Sequence, residues 1–457
     1  MIRSMQRSLL VLSIATLAGG GFVWGRARGL DTVPPRPRRS SSHLQTADTG
    51  QNSLLKTIGL QDDGGNANPA RTFETVLDHV QNDYALGLAT DAKLSNGAIA
   101  QMLASLDDPK TSFLEPKMRA AKHDALLGHY EGIGAALVVV KAKQGKYEYR
   151  NLTIVDVAPG SPAEKAGLKS GDVIDSLNGR WVLSHTALID SDHLQKEQKD
   201  KTKTDAALRE EAKLINEKYQ KAYVISKALP LLTTGTDKLL KIAVLRPGQA
   251  APITVSVTTA DTQVEPVTFK ILDKQIGLLT VRQFNAKAAE QFSLQLEKNG
   301  SDLKGLIVDL RGNPGGVRSD STDTNGYQAA ITLLSLLTEN ANVQISPHPN
   351  QKQAVTIPAA RKVNAPITVL TDAGTANIAE MVASALRDSA KAKIVGGKTF
   401  GDPTLQLFTI LKDGNGIEIS VAHLLNAQGA EWSAGLTPDI TATGEDTLKR
   451  ALDALGA

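Results

Sequence analysis

The chain has 457 residues, 41% of them hydrophobic, enough for two or three domains with substantial cores. A balance of 51 Lys and Arg against 48 Asp and Glu leaves a net charge of +3, too even for the basic footprint of a nucleic-acid-binding protein. The absence of cysteine excludes a disulfide framework, a thiol nucleophile and a Cys-ligated metal, and the eight scattered histidines show no metal-ligand spacing, so no cofactor is expected.

Arg3 and Arg7 precede an apolar run, Leu9 to Trp24, broken by Gly19 to Gly21. Over residues 1–30 this is the pattern of a signal peptide or short membrane anchor. No clear A-x-A site follows and Arg26 and Arg28 come at once, so an uncleaved anchor fits at least as well as a cleaved leader. Either predicts export across the inner membrane, to a periplasmic or extracellular setting. Residues 31–70 are rich in Pro, Arg, Ser, Gly and Asn and read as a disordered linker. Residues 71–127 read as a helical region: Phe73, Val76, Leu77 and Val80 recur at helical spacing, and Leu94 to Leu106 repeats the pattern. The string Leu106-Asp-Asp-Pro-Lys110-Thr-Ser-Phe-Leu114 then breaks it.

Residues 128–262 carry a different pattern. The loop Gly132-Ile133-Gly134, a strand at Leu152 to Val157, the short capped helix Pro159 to Leu168, Gly171-Asp172-Val173-Ile174 and a turn at Asn178-Gly179 follow in that order. This succession resembles a PDZ domain. The resemblance implies that backbone N–H groups around Gly132, Ile133 and Gly134 receive the C-terminal carboxylate of a peptide added to the sheet edge. Residues 184–229 interrupt it with a charged stretch in which Leu208, Ala212, Ile215, Tyr219 and Ala222 share one helical face. We read this as a helical insertion covering one side of the domain, the sharper alternative being a protein-partner or dimerising arm. Strands at Leu239 to Leu245 and Ile253 to Thr258 complete the domain.

Residues 263–457 form the last domain. Val267 to Leu272 and Ile276 to Phe284 read as strands, Ala288 to Asn299 as a crossover helix, and Leu306 to Leu310 as a buried strand, a β-α-β unit. That strand closes in Arg311-Gly-Asn-Pro-Gly315-Gly316. A second strand, Ile367 to Leu370, leads through Thr371-Asp-Ala-Gly-Thr-Ala-Asn377 into a helix from Ile378 to Arg387, and Thr399-Phe-Gly-Asp402-Pro-Thr-Leu-Gln406 follows. A strand ending in a tight loop that opens a helix is where α/β enzymes place a nucleophile and its oxyanion-binding amides.

These pieces resemble the C-terminal processing peptidases, the tail-specific serine proteases. The match runs from about Arg71 to Ile440, with a gap at the insertion. The resemblance implies a multidomain α+β and α/β fold: a helical segment, a PDZ-like β-rich domain and a crotonase-like protease core. It also implies that protein C-terminal tails are the partner, with a Ser nucleophile, a Lys base and a Gln four residues beyond the Lys. On this chain the Ser slot is Asn377, the Lys slot is Asp402, and the Gln is retained as Gln406. Gly315 and Gly316 match the oxyanion-type loop, and Lys110 takes a position where the family string has His. Asn has no nucleophilic hydroxyl, and Asp402 has no serine at the expected place to act on. The expectation is a pseudo-peptidase that binds tails without cutting them, with the Asn377 carboxamide donating to a peptide carbonyl. The alternative is an active endopeptidase using Thr375 or Ser384 with Lys398.

Overall fold

The computed structural model describes residues 69–84, 90–144, 147–182, 194, 196–197, 203–360 and 362–456. The leader or anchor and nearly all of the expected linker lie outside the described residues. Among the described residues no helix is long and apolar enough to cross a membrane. The chain divides into two compact units, 1–99 and 100–457. The first holds helix α1 (Pro69–Asp83) and the start of α2 (Asp91–Ala104). Helix α1 starts two residues inside the stretch read as linker, on a proline that has no N–H to leave unpaired.

The second unit opens with β1 (Ser112–Leu114) and α3 (Pro116–Leu126). Ser112 to Leu114 is a strand because it pairs antiparallel with Gly416 to Glu418. No local pattern announces a partner that far along the chain.

The small domain follows: β2 (His129–Tyr130), β3 (Ala135–Gln144), β4 (Tyr147–Val157), α4 (Pro162–Lys165), β5 (Val173–Leu177), β6 (Arg180–Trp181), α5 (Asp205–Lys221), α6 (Ile225–Thr233), β7 (Leu239–Leu245), β8 (Ile253–Thr258) and β9 (Thr262–Gln263). Its sheet runs β3-β4-β5-β7-β8 with β6 on β5, so β3 lies at an edge. Ser161 caps α4, its Oγ accepting from the Glu164 amide at 3.1 Å. Ile133, Leu152, Ile154, Ile174, Leu177 and Ile242 form the buried centre.

The insertion is shorter than its charge run suggested. Helix α5 lies by β6: Lys218 stands over the Trp181 ring at 4.9 Å, and Arg180 of β6 over Tyr223, just beyond the helix, at 4.0 Å. Helix α6 belongs instead to the domain core, since Ala228 and Leu232 are fully buried among its strands. Sequence periodicity joined it to the insertion because charged α5 runs into it almost without a break.

The large domain contains β10 (Val267–Leu272), β11 (Ile276–Val281), α7 (Ala286–Asn299), β12 (Gly305–Asp309), β13 (Arg318–Ser319), α8 (Gly326–Leu337), β14 (Asn342–Ser346), β15 (Gln353–Thr356), β16 (Ile367–Thr371), α9 (Ile378–Ala390), β17 (Lys393–Gly396), β18 (Thr404–Ile410), β19 (Gly416–Leu425), β20 (Ile440–Thr441) and α10 (Asp446–Ala454). Its main sheet is ordered β10-β11-β12-β16-β17-β20. All neighbours from β11 to β20 are parallel, and β10 is antiparallel at the edge. Both faces are covered, which is why β12 and β16 read as unbroken apolar runs. Leu306 and Val308 pack with α7, α8 and α9, while Ile307 between them points to the α10 side. A second sheet, β13-β18-β19-β14-β15 with β1 on β19, packs alongside. This architecture sets the loops after β12 and β16 next to each other, at the carboxyl ends of adjacent parallel strands.

Helix α7 offers a direct check of this packing. Phe292 is fully buried in the core and Leu294, two residues on, is 59% exposed. Phe292→Ala should lose about 3–5 kcal/mol of stability in urea unfolding, whereas Leu294→Ala should change it by about 0.5 kcal/mol or less.

Candidate functional site

The loop from Asp372 to Ala376 is tied to the loop after β12 at several points. The Asp372 carboxylate accepts from the Gly312 and Gly374 amides, both at 2.9 Å. The Thr375 hydroxyl donates to the Leu310 carbonyl at 2.9 Å, and the Ala376 amide to the Asn313 carbonyl at 3.0 Å. Asn377 then adopts φ 52° and ψ −119° at the head of α9. A left-handed, strained backbone at a strand-to-helix turn is the geometry that thrusts a side chain out of an α/β sheet.

Glu380 holds that turn. It is fully buried, and its carboxylate accepts from the Asn377 amide at 2.9 Å, the Gly401 amide at 2.9 Å, the Asp402 amide at 2.8 Å and the Thr399 hydroxyl. One carboxylate thus fastens residues 377 and 402 to each other through their backbones. Burial pushes its pKa up to about 7, against the opposing pull of its hydrogen-bond donors, the Thr399 hydroxyl first among them.

The two slot side chains, Asn377 at 4% and Asp402 at 8% exposure, face a common cavity. The Asn377 Nδ2 donates to the Thr404 carbonyl, which leaves Oδ1 buried with no hydrogen-bond partner among the described residues. The amide nitrogen is thus taken by the protein itself and is not free to donate to a peptide carbonyl, as the sequence had suggested. Asp402 is ion-paired with Lys110, whose Nζ also donates to the Thr404 hydroxyl at 3.1 Å. Gln406 donates from Nε2 to the Lys110 carbonyl at 2.8 Å.

Gly315 has φ +94°, and a Cβ there would come within 2.6 Å of the Asn377 Cβ, so only glycine lets the two loops approach. Its amide donates to Asn313 Oδ1 at 2.9 Å and is unavailable to an incoming oxygen. Among the described residues no protein acceptor takes the Gly316 amide, so the oxyanion-type loop is reduced from two candidate donors to that one.

The cavity has a volume of about 220 Å³ and reaches from Asn377, Asp402 and Gln406 past Gly316 to Leu229 on α6 and Ala135–Val138 on the β3 edge. At the far end, the Ile133 amide donates to the Leu232 carbonyl at 2.8 Å. That removes one of the loop amides the PDZ resemblance assigned to a carboxylate; Gly132 and Gly134, with φ of +81° and +72°, shape the turn beside it.

The alternative dyad does not assemble. The Thr375 hydroxyl is held by the Leu310 carbonyl, Ser384 is buried inside α9 about two turns beyond Asn377, and Lys398 is exposed. Sequence reasoning missed Lys110 and Thr404 as site residues. The one visible signal was that Lys110 departs from the family string. No group of three or more possible metal ligands occurs among the described residues.

The description Peptidase family S41 matches residues 275–442, and a PDZ domain matches residues 153–191. The carboxy-terminal processing protease CtpA of Bacillus subtilis (strain 168) is 29% identical over 379 residues, covering 81% of this chain and 68% of the relative. The chain is a member of the C-terminal processing peptidase family. A chloroplastic C-terminal processing peptidase of Tetradesmus obliquus is 28% identical over 363 residues, 75% of this chain and 67% of the relative. In fold, the chain is similar to a photosystem II D1 C-terminal processing protease: TM-score 0.56 at 23% identity, over 90% of this chain and 98% of the other. The elbow at Asn377 and the loop carrying Asp402 both lie within the matched residues 275–442.

Glu380 also gives the fold a pH signature. Its folded pKa lies above the ordinary 4.5, so the folded state keeps a proton that the unfolded chain releases. Stability should fall as pH rises from about 4.5 to 7, by at most about 3 kcal/mol from this group. Asp156, raised to about 7 by burial and then by the neighbouring Asp372 charge, acts in the same direction. Unfolding midpoints measured across that window should show the slope in the wild type, with Glu380→Gln and Asp156→Asn each removing part of it.

Proposed function

We propose that this chain is a catalytically impaired member of the C-terminal processing peptidase family that binds the C-terminal tails of proteins without hydrolysing them. The observation that carries this reading is residue 377. The strained elbow presents an Asn, whose amide nitrogen is tied to the Thr404 carbonyl and whose carbonyl oxygen is left as a buried acceptor. A carboxamide has no nucleophilic oxygen–hydrogen bond to supply. The base slot supports the same reading, because Asp402 is neutralised by Lys110 instead of facing a hydroxyl.

The route to the site supports tails as the occupant. The β3 edge is unpaired in its sheet and flanked by α6, an arrangement to which a peptide adds as a strand. The cavity continues from there to Asn377. A tail held at β3 would run toward the elbow. An exported setting is supported by the basic start, Arg3 and Arg7, and the apolar run that follows.

The test uses the full chain and an unstructured protein with an apolar C-terminal tail. The wild type should bind the tail and release no product, and Asn377→Ser/Asp402→Lys should cleave it. Turnover by the wild type would overturn the reading. Leu229→Asp, which places a charge in the apolar groove, should weaken tail binding about tenfold or more, a loss of ~1.4 kcal/mol. Unchanged affinity would remove the groove from the proposal.

A further inference from the structure

Resting on that reading, we propose that the amine of this site has changed its point of attachment and has not been lost: Lys110, on the loop entering β1, is the site's positioned amine, stored as an ion pair with Asp402. Three independent features of the geometry support this.

The first is where the ammonium lies. Lys110 Nζ contacts Asp402 and the Thr404 hydroxyl, while Asn377 Nδ2 contacts the Thr404 carbonyl. The lysine head and the elbow side chain therefore meet on one residue. The lysine side chain is only 15% exposed, so it is a built part of the site and not a surface lysine reaching in.

The second is how firmly its backbone is held. Asp108 Oδ1 accepts from the Lys110 amide at 3.0 Å, and Asp108 Oδ2 from the Thr111 hydroxyl at 2.6 Å. Thr111 Oγ1 in turn accepts from the Ser420 amide at 3.2 Å, and the next residues pair as β1 with β19. The third feature is Gln406, whose Nε2 donates to the Lys110 carbonyl at 2.8 Å. A glutamine retained beside an abandoned base would have no reason to hold this loop. One that positions a relocated lysine does.

Residues 110 and 402 thus form a charge-complementary pair in which the amine comes from the loop entering β1. In the present chain the carboxylate holds the ammonium, and no free lone pair faces residue 377. Two changes would release it: Asn377→Ser supplies a hydroxyl, and Asp402→Asn removes the counter-charge with almost no change in shape. The introduced hydroxyl oxygen would attack the scissile carbonyl carbon as its proton passes to the unprotonated Lys110 amine. The peptide C–N bond would then break, with the leaving amine taking that proton. Water would hydrolyse the resulting ester and restore the hydroxyl.

The experiment compares Asn377→Ser/Asp402→Asn with the same variant carrying Lys110→Arg, as full chains, on the apolar-tailed protein. Arginine keeps charge and reach but cannot act as a base. Circular dichroism and tail binding verify that each variant is folded. The double variant should hydrolyse the tail. Lys110→Arg should lower the rate of hydrolysis by about 100-fold or more, the range for removing a general base, without moving tail affinity. A folded, tail-binding double variant that is inert, or one whose activity survives Lys110→Arg, overturns the proposal whatever Asn377→Ser/Asp402→Lys does. Cleavage by the wild type bears on the functional reading instead, so the two failures are distinguishable.

Discussion

The buried carboxylate of Glu380 is the constraint on which the site depends. It stands one turn into α9 and receives the amides of Asn377, Gly401 and Asp402 together with the Thr399 hydroxyl. The elbow and the 399–402 loop come from different parts of the sheet, and no other side chain spans them in this way among the described residues. A buried charge is tolerated only when its lone pairs are filled, and here four donors fill them. The same arrangement fixes the strained φ of Asn377 and the approach of Gly315 to it. Position within the site is therefore a backbone property, set independently of what side chains residues 377 and 402 carry.

That independence lets the elbow keep its geometry with Asn and Asp at these two positions. At φ 52° and ψ −119° the Asn377 backbone lies outside the left-handed helical well, and the Glu380 carboxylate bonded to its amide holds it there. The carboxamide fills its place by bonding to the Thr404 carbonyl. Asp402 would be an uncompensated charge at 8% exposure, and Lys110 supplies the compensation from the loop entering β1. Each substituted slot thus has its own partner, and both partners converge on Thr404. The site is an ordered structure with different contacts, not a decayed one.

The cores of both domains were legible because their patterns are local. β12 and β16 are continuous apolar runs bounded by turn residues, and α9 begins where the small-residue turn ends. The slot residues were legible only through the family resemblance, since nothing in an Asn or an Asp marks it as catalytic. What remained hidden depended on distant partners. β1 exists because of β19, and Lys110 belongs to the site through Asp402, 292 residues away. The donor expected of Asn377 is used internally, because the Thr404 carbonyl, fixed by β18, claims the amide nitrogen. The loop amides of Ile133 and Gly315 were committed to Leu232 and Asn313 by folding, which no motif reveals.

The PDZ-like groove and the elbow share one continuous cavity, so a tail recognised at β3 and a chain segment lying at Asn377 would belong to the same occupant. The central claim is that this occupant is held and left intact. The most direct measurement is intact-mass spectrometry of an apolar-tailed protein after equilibration with a stoichiometric amount of the wild-type chain. The account predicts recovery of the complex with the tail at its full original mass. A tail shortened at its C-terminus, or an acyl adduct on this chain, would contradict it.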